Sequence, residues 1–277
     1  MNSYNPDTLI FVHIPKTAGS TFHMILNSRY PHSGIQNLFG SRYSEPEIHQ
    51  FMIRPAETKK HIRLLKGHMP FGMHKHIPHP SQYIAMLRDP VERVISQYYY
   101  IKKNVHNPLH EKVEKGGMTI QDFVSSGVSI GMNNGQCRFL NGDLDEFPFG
   151  SKDQILLDSV MQHIEEHFVW LGITERFDES VLLLSKLMDW KIPPYYMREN
   201  VSKSRVRKSQ VDQADINVIR SFNQFDLQLY QFAEGKLNRQ IQEIEGFEQD
   251  VEQFSVRNRG IQRRWGWLPD KLKRFFI

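Results

Sequence analysis

The sequence predicts an α/β fold: a mostly parallel sheet flanked by helices in three layers, with a P-loop-like turn after the first strand. Two observations carry this expectation. Short apolar runs rich in β-branched residues alternate along the chain with stretches of helical apolar spacing. The first such run leads directly into a Gly/Ser/Thr turn and a helix, an arrangement that gathers backbone amides into an anion site. The 277 residues suffice for a substantial core.

The elements follow in order. Thr8–Ile14 reads as a buried parallel strand, and Phe22, Ile25 and Leu26 recur at helical spacing after the turn Pro15–Thr21. Pro31 to Arg54 is loop-rich and ambiguous. His61–Leu65 reads as a second strand running into Gly67-His68, then a Pro/His-rich loop to Pro80. Tyr83–Leu87 is a third strand. A helix follows it, with Asp89 as cap, Pro90 in the first turn, and Val91, Val94, Ile95, Tyr98, Ile101 and Val105 on one face. Thr119–Ser126 and Asp153–His167 read as helices, Phe168–Ile173 as a fourth strand, and Glu179–Trp190 as a helix stopped by Pro193-Pro194. A polar loop, Arg198 to Ser209, precedes one long helix from Asp212 to Glu245.

Composition narrows the function. Lys+Arg 35 against Asp+Glu 31 gives a net charge of +4, which suits an anionic ligand but lacks the basic clustering of a nucleic-acid binder. The longest apolar runs fall far short of the roughly 18 residues of a membrane span. Met1 to Asp7 is polar, without the plan of a signal peptide, so a cytoplasmic setting is expected. The single cysteine, Cys137, rules out an intrachain disulfide and a Cys-rich zinc site, and reads as a packed residue. His74, His76 and His79 lack a defined ligand geometry, and no metal is expected.

Two segments carry chemistry. In Pro15–Thr21, Gly19 permits close approach of a phosphate, Ser20 and Thr21 add hydroxyls, and Lys16 adds a mobile charge. Lys16 precedes the glycine, so the Walker pattern is absent. Arg88 sits at the carboxyl end of a strand, where open α/β sheets bind ligands, and Ser96 lies two turns into the next helix. Bracing of the turn by Arg88 is the plainer alternative. Arg93 reads as structural or surface, and Tyr98–Tyr100 as core and rim packing. Asn133–Arg138 either faces an acceptor or is a plain polar loop.

Together these residues resemble a known family. His13–Thr21, Gly67-His68, Leu87–Tyr99, Leu171–Phe177 and Arg198–Arg205 are similar, in order, to the sulfotransferases of the heparan sulfate 2-O-sulfotransferase type (sulfotransferase family 2). The resemblance implies transfer of a sulfuryl group from PAPS (3′-phosphoadenosine 5′-phosphosulfate) to an acceptor hydroxyl, usually on a sugar. It implies that Lys16, Thr17, Ala18, Gly19, Ser20 and Thr21 hold the 5′-phosphosulfate, and that Arg88 and Ser96 hold the 3′-phosphate. Arg198, Ser202, Lys203 and Ser204 are implied to close over the nucleotide, and His68 to be the catalytic histidine. Lys16 suits neutralisation of the leaving oxygen, and His68 can take the acceptor proton near neutral pH, with nearby Lys66 holding its pKa down. One departure is Lys66, where a family member carries a second histidine.

The sulfotransferase domain is expected over 1–250, with a basic, aromatic tail at 251–277 whose composition suits an anionic membrane surface, a polyanionic acceptor, or packing on its own domain. Two rival functions stay open. A P-loop kinase or NTPase conflicts with the position of Lys16 and the lack of a clear Walker-B carboxylate. A non-catalytic nucleotide- or glycan-binding module would not need His68.

Overall fold

The computed structural model describes residues 6–198 and 206–268. Five strands, β1 (Thr8–Val12), β2 (Ile35–Phe39), β3 (Leu64–His68), β4 (Ser81–Leu87) and β5 (Phe168–Ile173), form one sheet in the order β2-β3-β1-β4-β5. Every neighbouring pair is parallel. Strands β1 and β5 and the Tyr83–Leu87 part of β4 are buried runs because both faces of the sheet are covered there.

The helices are α1 (Gly19–Asn27), α2 (Pro46–Ile53), α3 (Pro90–Lys103), α4 (Ile120–Ser125), α5 (Gly135–Asn141), α6 (Gln154–His167), α7 (Phe177–Leu187), α8 (Gln213–Phe222), α9 (Gln224–Gln242) and α10 (Phe247–Trp265). Among the described residues, none is long and apolar enough to cross a membrane. The main core joins the sheet to α1, α5, α6, α7 and α9. A smaller apolar cluster ties α3, α4 and α8 together through residues such as Ile95, Phe123 and Ile219. The caps follow the sequence. Asp89 accepts from the Glu92 amide at 2.9 Å, and Thr119 and Asp122 form a capping box at α4.

Several elements differ from the sequence-based reading. The segment left ambiguous holds β2 and α2. As an edge strand carrying Gln36 and Asn37, β2 lacks a continuous apolar run. The second strand starts later, at Leu64, where pairing with Leu9 begins, and so includes Gly67 and His68. Gly67 therefore lies inside the strand. Its φ is +143°, and a Cβ there would meet the Leu38 carbonyl oxygen of β2 at 1.9 Å. Val105 lies beyond α3 and is exposed. The expected long helix is α8 and α9, broken at Asn223. Its buried side chain donates to the Met132 and Ile219 carbonyls and accepts from the Asn134 amide, so it competes with a continuous helix. The expected domain end falls within α10, whose Phe247 and Phe254 are buried in the main core.

Candidate active site

The site is assembled at the carboxyl edge of the sheet. After β1 the chain turns sharply: Lys16 (φ 72°) and Ala18 (φ 60°) both occupy the left-handed region, which is costly for non-glycine residues. Two bonds hold that turn. The buried Thr17 hydroxyl donates to the Ile14 carbonyl at 2.8 Å, and the Arg88 guanidinium donates to the Lys16 carbonyl at 3.0 Å. An α-helix leaves its first amides without intrahelical partners. At the start of α1 the N-cap residue, Ala18, offers no capping oxygen and no acidic residue sits in the first turn, so the electrostatics there favour an anion.

Lys16 extends over the ring of Tyr100, with Nζ 4.0 Å from its centroid. Burial, and then the charge of Arg88, bring its pKa down to about 8, so it is mostly charged at neutral pH. Arg88 follows β4 and is only 5% exposed. Besides the Lys16 carbonyl, it bonds Glu92 Oε2 at 2.9 Å and lies 3.8 Å from Glu175. Gln136 holds the Arg88 backbone by both its N–H and its carbonyl. Arg88 is thus a brace of the turn as well as a cation at the strand end. Ser96 lies half-buried on α3.

The segment Asn133–Arg138 is not a polar surface loop but leads into the buried helix α5. Asn133, Asn134, Gln136, Cys137 and Arg138 are all buried. The amides of Gln136 and Cys137 donate to Asp226, and the Arg138 guanidinium donates to the Leu144 and Asn133 carbonyls. Arg93, expected to be structural or exposed, is buried beside Asp226 at 3.7 Å and donates to the Gly131 carbonyl. Arg198 is exposed at the end of the first described stretch. Ser202, Lys203 and Ser204 lie outside the described residues.

Four titratable side chains converge beside the turn. Along β3, Lys66 and His68 share one face, and His13 follows β1 in the same layer. The His68 Nδ1–H donates to the His13 carbonyl at 2.8 Å, and the two rings stack with centroids 4.3 Å apart. His13 Nδ1 meets His23 Nε2 at 3.0 Å, and His23 Nδ1 meets Lys66 Nζ at 3.1 Å. A Cβ on Gly19 would come within 1.7 Å of His13 Nε2, so the glycine makes room for this ring.

Burial is the main reason these imidazoles stay neutral. It lowers the pKa of His68, partly offset by the bond to the His13 carbonyl. It lowers that of His13 well below the usual value, helped by His68, His23, Lys66 and Lys16. His23 falls to about 3 through burial, Lys66 and His68. Lys66, itself lowered to about 8 by burial, therefore acts on His13 and His23 and not chiefly on His68 as the sequence suggested. The sequence reading missed His13 and His23 as site residues. The available signal was the spacing of Gly19 and His23, one turn apart on the same helix. His74 belongs elsewhere: it contacts Tyr83 early in β4 at 3.0 Å and stacks near His167.

Comparison with known proteins identifies the family. The galactose-3-O-sulfotransferase family model matches residues 2–265. The chain is similar to human heparan-sulfate 6-O-sulfotransferase 1, with 24% identity over 85% of this chain and 67% of that protein. It is also similar to galactose-3-O-sulfotransferase 3 of Bos taurus, with 25% identity over 80% of this chain and 55% of that protein. The structure of mouse sulfotransferase SULT7A1 complexed with PAP overlays 78% of this chain and 63% of that one at 14% identity, with a TM-score of 0.38, a likeness too loose to carry weight.

Proposed function

From the chain's membership of the galactose-3-O-sulfotransferase family, we propose that it transfers a sulfuryl group from PAPS to a hydroxyl of a carbohydrate acceptor, with His68 as general base. One observation carries the reading: His68 is anchored through its Nδ1–H to the residue that leads into the turn before α1. That bond fixes the proton on Nδ1 and leaves Nε2 as the basic nitrogen. The finer likeness to the heparan sulfate 2-O type rests on the sequence segments alone, whereas the named relatives act on galactose and on heparan sulfate at the 6-position.

In this mechanism His68 Nε2 takes the proton of the acceptor hydroxyl as its oxygen bonds to sulfur. The bond from sulfur to the bridging oxygen breaks in line, and negative charge collects on the departing 5′-phosphate. Lys16 and the amides of Gly19, Ser20 and Thr21 neutralise that charge. Thr17 contributes through its backbone, since its hydroxyl serves Ile14. Arg88 and Ser96 are the proposed readers of the 3′-phosphate, and Arg198 with Ser202, Lys203 and Ser204 the proposed cover. The helix start, free of acidic residues in its first turn, fits a phosphosulfate.

The test is transfer of labelled sulfate from PAPS to a panel of glycans, read by mass spectrometry. Sulfated product from at least one glycan is expected. Binding of ATP with Mg²⁺ but not of adenosine 3′,5′-bisphosphate would overturn the reading in favour of an NTPase.

A further inference from the structure

The side chains Lys66, His23 and His13 form a chain of hydrogen bonds whose direction is set at one end. An ammonium group has donors only, so Lys66 Nζ donates and His23 Nδ1 accepts, at 3.1 Å. A neutral His23 then carries its proton on Nε2 and donates it to His13 Nδ1, at 3.0 Å. A neutral His13 must in turn carry its proton on Nε2. Burial and the neighbouring positive charges hold both imidazoles neutral at physiological pH.

The ring's orientation says where that proton is. Gly19 and His23 stand one turn apart on the same face of α1. The Nδ1 edge of His13 meets His23 and its Nε2 edge lies against Gly19. The Nδ1-to-Nε2 direction therefore runs back along α1 towards its amino end, where the first-turn amides collect. Among the described residues, the hydrogen bond of the His13 ring is through Nδ1 alone.

We infer that His13 is a further anion-binding residue: its Nε2–H donates to the 5′-phosphate or sulfuryl oxygens held at the start of α1, with Lys66 and His23 as positioning residues that lock its tautomer. This rests on the proposed sulfuryl transfer and adds a neutral donor to the site beyond Lys16 and the amides. It also explains a glycine at position 19, because any side chain there would expel the ring.

The test uses binding, not turnover, on the full chain. Calorimetry with adenosine 3′,5′-bisphosphate and with adenosine 3′-phosphate should show that His13→Ala weakens the first about tenfold or more, the scale of losing one hydrogen bond to a charged group. The second ligand, lacking the 5′-phosphate, should bind as in the wild type. Equal affinities in wild type and variant, or equal losses for both ligands, would overturn the inference by reducing His13 to packing. Failure of the wild type to bind the bisphosphate at all would instead overturn the sulfotransferase reading, and the inference with it. If His13→Ala does not fold, imidazole ¹⁵N shifts of the wild-type protein decide. Protonation of His13 at Nε2, with a shift of that resonance on adding bisphosphate and a mixed tautomer in Lys66→Met, is expected. Protonation at Nδ1 would refute it.

Discussion

The imidazole of His13 stacks on that of His68 at a centroid distance of 4.3 Å, and the His13 carbonyl accepts the His68 Nδ1–H at 2.8 Å. One residue thus links the proposed base to the turn proposed to receive an anion. Both parts lie at the carboxyl edge of a parallel sheet, where strand ends and helix starts converge.

Gly19→Ala is predicted to break this link. The new methyl would sit 1.7 Å from His13 Nε2, so the ring must leave or α1 must shift. Turnover should fall by at least about tenfold, because misplacement of about 1 Å is costly in a positioned site. Steady-state rates beside a thermal melt check it, and near-normal turnover would show that the ring position is unimportant.

Arg88→Ala should cost both stability and nucleotide affinity. It removes a donor to the Lys16 carbonyl and leaves Glu92 and Glu175 without their shared cation. A loss of about 3 kcal/mol in unfolding free energy is expected from breaking a largely buried pair. In the wild type, adenosine 3′,5′-bisphosphate should bind more tightly than adenosine 5′-phosphate, and the variant should lose that difference. No difference in the wild type would remove Arg88 and Ser96 as readers of the 3′-phosphate.

Asp226→Asn tests the buried support beneath the site. Asp226 is fully buried, faces Arg93 at 3.7 Å and accepts from the amides of Gln136 and Cys137. Neutralising it strands the Arg93 charge, at a cost of about 3–5 kcal/mol. Urea unfolding measures the loss. A change under about 1 kcal/mol would mean the pair is not needed for folding.

Stability should fall with acid. In the folded protein the pKa of His23 is about 3 and that of His74 about 4, both below the unfolded value near 6.5, and His13, His68 and His163 are lowered as well. The unfolded chain therefore binds more protons below pH 6.5, so stability is full above that pH and declines as pH drops towards 4 and 3. Denaturation midpoints at pH 7.5 and pH 5 read it, and His74→Gln should flatten the slope. A pH-independent midpoint would contradict the buried neutral state.

Much of this arrangement is legible in the sequence. The strands at Thr8, Tyr83 and Phe168 announce themselves because burial on both faces demands unbroken apolar runs. The caps Asp89 and Thr119 are local chemistry, and the turn with its Gly-Ser-Thr is a local motif. What escapes the sequence is set by distant partners. β2 becomes a strand because β3 pairs with it, despite Gln36 and Asn37. Asn223 breaks a helix by bonding the Met132 carbonyl, 91 positions away in the chain. His13 and His23 are two among thirteen histidines until the sheet brings Lys66 and His68 beside them. Asn133–Arg138 looks like a polar surface loop because its partners, Asp226 and Asn223, are remote in sequence.

The most direct measurement is sulfuryl transfer by His68→Ala set beside its affinity for adenosine 3′,5′-bisphosphate. Turnover should drop by roughly 10²–10⁴-fold, the usual worth of a positioned acid–base group, while bisphosphate affinity stays within about twofold of the wild type. In the wild type the rate should fall with acid only below the ordinary imidazole value near 6.5, because burial lowers the His68 pKa and keeps the base neutral further into acid. Near-normal turnover in His68→Ala, or a loss of bisphosphate binding as large as the loss of turnover, would contradict the assignment of His68 as the base.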